Sequence, residues 1–353
     1  MRNLILAAAA FTLPSATPAM EPSRPIEWSI QRSGTAADAR TIQLTIESRW
    51  NERSSSTWSN DRPIAELQGL SPSQVAGPTA PVRFALVRDA GRLDCAGTAG
   101  RLTGHGTCRF TPDVGFGAFL SSSGIGQLGT QQAFSLTMSG AGRDLVEAMR
   151  SIDYARPTVD QLVALGIHGV TPEFVRGLAQ SGYRLRSADD LVAFAIHGVD
   201  LEYIHEMAVI APSLAHLSAK DLVSLRIHGL TPQYVRQMAG MGPGFANLSA
   251  DDLVSFGIHG VKPELARTYA RYGDRALKPD DIVSMAIHGV TAQFIEGLAA
   301  IGYRGFTAEE LVSLSIHGVS TDYVGELQHA GMTKLSAEQL VRLRLAGFDP
   351  AAR

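Results

Sequence analysis

The chain has 353 residues, 45% hydrophobic and 18% charged, with a formal net charge of −3. This is a globular composition long enough for two domains. The mild negative balance argues against nucleic acid as a partner, and no apolar run approaches the roughly eighteen residues of a membrane span.

The N-terminus reads as a secretory signal. Arg2 supplies the positive start, Leu4 to Leu13 the apolar core, and Thr17-Pro18-Ala19 a small-residue cleavage site. Residues 1–19 are therefore expected to be removed, leaving a mature chain that begins near Met20 or Glu21 in the periplasm or outside the cell.

From Ile26 to Phe110 the apolar residues alternate with period two. Trp28-Ser29-Ile30, Ile42 to Ile46, Thr57-Trp58 and Val82 to Leu86 read as short strands, and Pro72–Pro81 as a loop. All three tryptophans lie here, so residues 20–112 are expected to form a small antiparallel β domain. The only cysteines, Cys95 and Cys108, flank the glycine-rich stretch Thr98–His105. A hairpin centred near Arg101 and Leu102 sets them opposite each other, and in an exported protein a cross-strand disulfide follows. Residues 113–130 read as a junction, opened by Thr111-Pro112-Asp113, which has the form of a helix start.

The remainder, 131–353, is periodic. Ile-His-Gly recurs six times, with histidines at His168, His197, His228, His259, His288 and His317, spaced by 29 or 31 residues. A period of this size marks stacked repeats. Each unit begins with a cap (Thr158, Ser187, Ser218, Ser249, Lys278 or Thr307) followed three residues on by Gln161, Asp190, Asp221, Asp252, Asp281 or Glu310, the form of a capping box. Glycine after the histidine is a left-handed helix stop. A second helix opens at once, at Thr171-Pro172, Asp200, Thr231-Pro232, Lys262-Pro263, Thr291 or Ser320. The apolar residue after each glycine is placed to pair backward with a residue five earlier, as in Leu165–Val170, and forward as a staple. Ser139 and Ala346 stand one period outside the six histidines, in a divergent leader and a truncated tail. The expected fold class is α+β in two domains: the β domain, then an all-α helical-hairpin array, an α-solenoid.

Six histidines in register suggest metal binding, but stacked helices lie roughly 8–10 Å apart whereas zinc needs its nitrogens within about 2.1 Å of one centre. The histidines read instead as structural, each ending a helix where an imidazole can bond free carbonyls; no metal or cofactor is expected. The acid pairs Asp189-Asp190, Asp251-Asp252, Asp280-Asp281 and Glu309-Glu310 sit where carboxylates complement a helix dipole. Gly124 to Gly129 matches a dinucleotide fingerprint but follows no strand, so it reads as linker. With no nucleophile elbow and no His-Glu-x-x-His, an enzyme is not expected. The loops after the second helices vary in length and mix aromatic with basic residues, and insertions in solenoids often map to the binding face. Tyr183, Arg184, Arg186, Phe245, Arg271, Tyr303 and Arg304 are the candidate binding residues.

The phrases Ile-His-Gly-Val-Thr-Pro-Glu-Phe-Val (167–175) and Ser-Ala-Asp-Asp-Leu-Val (187–192) resemble a tandem helical repeat of uncharacterised bacterial exported proteins. Val82 to Gly91, with Gly104-His105-Gly106-Thr107 and Phe110-Thr111-Pro112, resembles the β module that precedes such repeats. The resemblance implies no transferable activity; its association with metalloprotease sensors of the beta-lactam-response type implies an accessory part in envelope stress sensing. The expectation is a periplasmic or secreted protein-interaction or scaffolding module with a protein partner. The alternative is a ligand-binding or enzyme-associated periplasmic protein with its site in the β domain.

Overall fold

The computed structural model describes residues 22–32, 40–52, 54–183, 185, 187–274 and 277–350, so the expected signal segment lies outside the described residues. The chain divides into two compact units, the first reaching Val175 and the second starting at Arg176.

The first unit is built on seven strands: β1 (Ile26–Arg32), β2 (Thr41–Asn51), β3 (Ser54–Pro63), β4 (Leu67–Gln68), β5 (Ala80–Arg88), β6 (Gly91–Gly100) and β7 (Thr103–Pro112). They form one antiparallel sheet in the order β3-β2-β1-β7-β6-β5-β4. The period-two pattern decides the face: Ile42, Leu44 and Ile46 of β2 and Ile26, Trp28 and Ile30 of β1 are buried while their neighbours are not. Trp28 needs room made by glycines. Gly97 and Gly106 face each other across β6 and β7, and a Cβ on Gly106 would sit 2.2 Å from the Ala96 carbonyl oxygen and 2.6 Å from the indole Nε1. The Trp28 Nε1–H donates to that carbonyl at 3.2 Å.

Cys95 and Cys108 are opposite in the β6–β7 register and joined by a disulfide, with Cα atoms 4.0 Å apart. The hairpin turns through Arg101 and Leu102, whose φ values of 54° and 63° are left-handed. Such a conformation in two non-glycine residues needs outside support. It comes from the segment 72–81, which the sequence reads as a loop. Its first part is instead a one-turn helix, α1 (Pro72–Ala76), because Ser71 and Gln74 complete a capping box. Beside its C-terminal end, the Val75 and Gly77 carbonyls accept the N–H groups of Leu102 and Arg101, each at 2.8 Å.

Asp113 caps α2 (Val114–Ser122), its Oδ1 accepting from the Phe116 N–H at 2.6 Å. Three more helices complete the unit: α3 (Thr130–Ser139), α4 (Arg143–Ser151) and α5 (Val159–Ile167). Helix α3 packs on β5, β6 and β7 as well as on α5. Its Phe134 and Met138 belong to the sheet's own core, and the Phe134 ring meets Trp50 and Phe110 edge-on, each at 5.4 Å.

Helix α6 (Pro172–Gln180) runs across the division, and the rest of the second unit is helical hairpins. Their first helices are α7 (Ala188–His197), α9 (Ala219–Ile227), α11 (Ala250–Ile258), α13 (Pro279–Ile287) and α15 (Ala308–Ile316). Their second helices are α8 (Leu201–Ala208), α10 (Pro232–Ala239), α12 (Pro263–Tyr272), α14 (Ala292–Ala300) and α16 (Thr321–His329); α17 (Ala337–Leu345) follows. Each first helix packs on the next first helix, and each second helix from α8 on the next second helix. The caps act as their chemistry requires. Side-chain oxygens of Ser187, Ser218, Ser249 and Thr307 accept the N–H three residues on, whereas Lys278 supplies no side-chain oxygen and only its N–H is held, by Asp281 at 3.1 Å.

All six Ile-His-Gly turns close in the same way. The glycines have φ between 62° and 74°, and the N–H of the next residue bonds back to the carbonyl five before it, as in Val261 to Phe256 at 2.9 Å and Val290 to Met285 at 2.9 Å. That residue and its forward staple partner, such as Val290 with Ile295, are both buried.

The disulfide closes a sequence separation of 13 residues, which on the chain-entropy model stabilises the fold by about 3 kcal/mol. Urea unfolding followed by tryptophan fluorescence should show that loss in the Cys95→Ala, Cys108→Ala double variant and in reduced wild type. Equal midpoints for oxidised and reduced protein would contradict it.

Candidate interaction surface

Two surfaces of the second unit are candidates: the loops that follow the second helices with the helix ends beside them, and the outward side of the first helices. The former contains the residues singled out by sequence. Arg184 and Arg186 lie outside the described residues. Tyr183 is half-buried and lines a groove of about 440 Å³ with Leu185, Asp190, His216 and Lys220; burial, then the Asp221 charge, pushes its hydroxyl pKa up.

Phe245 must be removed from the candidate set. It is 2% exposed, its ring 6.2 Å from Phe256, so it fills the core beneath its loop and has no surface to offer a partner. Arg271, Tyr303 and Arg304, by contrast, come together. Arg271, in the last turn of α12, and Arg304, in the loop after α14, each place Cζ 5.1 Å from the Tyr272 ring centroid. Tyr303 stacks on Phe306 at 5.9 Å, and its hydroxyl accepts the Leu335 N–H at 3.2 Å. Tyr303 therefore braces the next loop, while Arg271 and Arg304 are exposed.

The histidines do less than expected. His317 Nδ1 lies 2.8 Å from the Ser313 carbonyl oxygen, a cap on its own helix. Among the described residues none of the other five makes such a bond, and His168, His197, His259 and His288 are exposed. Likewise, among the described residues no group of three or more His, Cys, Asp or Glu is placed to hold a metal ion.

The outward side of the first helices was missed in the sequence. With the cap as position zero, positions four, seven and twelve are buried, as Leu253, Phe256 and Val261 are in α11 and its turn. Position nine points the other way at 100° per residue. In the second unit Ile196, Ile227, Ile258, Ile287 and Ile316 all stand there, 53–57% exposed, and Leu345 of α17 stands there at 67%; in the first unit Ile167 holds the same position of α5 at 51%. Position five is valine and half-buried in α7, α9, α11, α13 and α15 (Val192, Val223, Val254, Val283 and Val312), and valine but buried in α17 (Val341). Position two is exposed and mostly acidic: Asp189, Lys220, Asp251, Asp280 and Glu309.

Contacts between adjacent turns hold these positions in rows. Arg226 Nε donates to the Gly198 carbonyl at 2.8 Å, Ser315 Oγ donates to the His288 carbonyl at 2.7 Å, and Gly257 lies so close to His228 that an added Cβ would be 2.7 Å from its Cβ. Tyrosines of the second helices make a parallel set of ties: Tyr203 Oη donates to the Leu230 carbonyl at 3.0 Å, Tyr234 to Val261 at 2.8 Å and Tyr323 to Phe348 at 3.1 Å. Arg226 covers the Tyr203 ring at 4.4 Å.

Burial outweighs the Arg226 charge and pushes the Tyr203 hydroxyl up to about 12; burial also raises Tyr234. Both groups hold their protons more tightly folded than unfolded, so their stabilisation is complete below about pH 10 and is lost as pH climbs through the folded value. In thermal unfolding between pH 9 and 12, the Tyr203→Phe, Tyr234→Phe variant should start lower by about 1 kcal/mol per lost hydrogen bond and then decline less steeply than wild type. Parallel curves would contradict this.

No protein-family model matches the chain, and no curated protein matches it in sequence.

Proposed function

We propose that this chain is a periplasmic or secreted protein-interaction module, an α-solenoid carried behind a β domain and without chemistry of its own. The disulfide between Cys95 and Cys108 is compatible with an extracytoplasmic site, and no single helix among the described residues is long and apolar enough to cross a membrane. The observation that carries the reading is the isoleucine row. The turn requires glycine at its left-handed position and an apolar residue after it, and both needs are met by other side chains. Nothing in the fold asks for a half-exposed isoleucine at position nine, yet it stands before every one of the six histidines. Large apolar side chains left exposed in register, helix after helix, fit an interaction surface.

The Ile258→Ser, Ile287→Ser variant tests the reading. Exposed substitutions change stability by no more than about 0.5 kcal/mol each, so circular dichroism and the unfolding midpoint should stay close to wild type. Proteins crosslinked to the wild-type chain in an envelope extract should be absent from the variant. If they persist there but vanish in Arg271→Ala, Arg304→Ala, the loop cluster and not the isoleucine row is the binding surface.

A further inference from the structure

The first unit shows what covers positions five and nine when something does. In α3, with Gly129 as cap, position five is Phe134 and position nine is Met138. Neither is exposed: Phe134 is fully buried and Met138 2% exposed, both inside the sheet's core. Position two of the same helix, Gln131, donates from Nε2 to Ser54 Oγ of β3 at 2.8 Å. An apolar surface therefore seats on positions five and nine of a first helix and is finished at its rim by a polar contact from position two.

In α7, α9, α11, α13 and α15 of the second unit position nine is exposed and position five half-buried, and the residue types differ. Valine and isoleucine replace Phe134 and Met138, and the neutral Gln131 is replaced by Asp189, Asp251, Asp280 and Glu309, with Lys220 as the single exception. Position three adds Asp190, Asp221, Asp252, Asp281 and Glu310 at the same helix ends. Whatever covers this face must set apolar side chains on the Val/Ile rows and bring positive charge to the acidic rim. A second copy of this face would bring acid toward acid or carboxylates onto the isoleucines. An anionic membrane surface or a nucleic acid would be repelled by the same rim.

The spacing narrows the occupant further. Packed helices lie about 8–10 Å apart, so the isoleucines repeat at that interval. Along an α-helix every seventh residue returns to the same side after about 10.5 Å, close to one such interval. Helix-in-groove recognition uses apolar anchors spaced in this way.

We propose, resting on the interaction-module reading above, that the Val/Ile face of α7, α9, α11, α13 and α15 binds a cationic amphipathic helix of a partner protein. The helix lies across the first helices, its apolar side on Ile227, Ile258 and Ile287 and its Lys/Arg edge toward Asp251, Asp280 and Glu309. Three positions (two, five and nine) in five helices give fifteen residues, fewer than the roughly 20–30 a side of a standard interface and in keeping with a single helix as occupant.

The test uses the full mature chain and two fluorescent 28-residue helical peptides. Both carry leucine on one side at heptad spacing; one is flanked by lysines and the other by glutamates at the same positions. In fluorescence anisotropy at low salt the lysine peptide should bind at least tenfold more tightly than the glutamate peptide. The preference should shrink as salt rises, since exposed charges are screened within about 10 Å at 0.1 M. Asp251→Lys, Asp280→Lys, Glu309→Lys should reverse the preference, and Ile258→Ser, Ile287→Ser should weaken binding of the lysine peptide at least tenfold. Equal binding of both peptides, each lost in the isoleucine variant, would overturn the cationic partner and leave the interaction face standing. Failure of the lysine peptide to bind wild type would overturn the inference. So would light scattering that shows a wild-type dimer and an isoleucine-variant monomer, because the face would then belong to a second copy.

Discussion

The second unit depends on one local constraint, the left-handed glycine that ends each first helix. A glycine at φ near 70° lets the following N–H reach back to a carbonyl five residues earlier, so the chain reverses within a residue or two and the apolar residue after the glycine drops into the core. The next cap follows immediately, and α13 and α14 meet at 93° as a result. With the turn fixed at one end and the capping box at the other, the rotational phase of the first helix is fixed too. Positions four, seven and twelve must face inward, and position nine is left outside. The isoleucine row is thus where it is because of the turn, though the turn does not need it.

The two units use this helix in different ways. In α3 its outward positions are widened to Phe134 and Met138 and covered by a sheet whose Trp50 and Phe110 rings supply edge-on contacts. In α7 to α15 the same positions carry compact β-branched side chains, with a charged rim in place of Gln131. Aromatic and thioether side chains suit a permanent core, where large area is removed from water once. Valine and isoleucine, stiff at χ1, keep the face ordered while it is open, so little side-chain freedom remains to be lost when it is covered.

Much of this was legible in the residues. Caps, glycines and staples named the helix limits and both hairpin partners, because each is a short-range rule with one chemical solution. The cysteine hairpin was legible down to Arg101 and Leu102, since two strands of matched alternation leave only the turn between them. The helix α1 was not: Pro72 and Pro81 look like loop residues, and only the Ser71–Gln74 pairing, itself a capping box, betrays it. Phe245 was misassigned because an aromatic residue in a variable loop looks the same from sequence whether it points at solvent or at Phe256. The isoleucine row was written in the sequence as phase, two residues beyond one buried position and five beyond another. It went unread because an apolar residue at the end of an apolar run blends into that run. The joining of Arg271 and Arg304 over Tyr272 depends on how the end of α12 sits beside the loop after α14, which no local pattern encodes.

The placement of Trp28, Trp50 and Trp58, all in β1 to β3, gives the molecule a natural division of optical signals. Indole emission reports on the sheet alone, whereas far-ultraviolet ellipticity is dominated by the helices. Helical hairpins that contact mainly their neighbours can open a few at a time, while a sheet whose two halves are joined by β1 beside β7 and stapled across β6–β7 opens as one body. A denaturation followed by both signals at once therefore separates two melting processes within a single unlabelled chain, and any non-coincidence between them measures how far the hairpins loosen while the sheet stays shut.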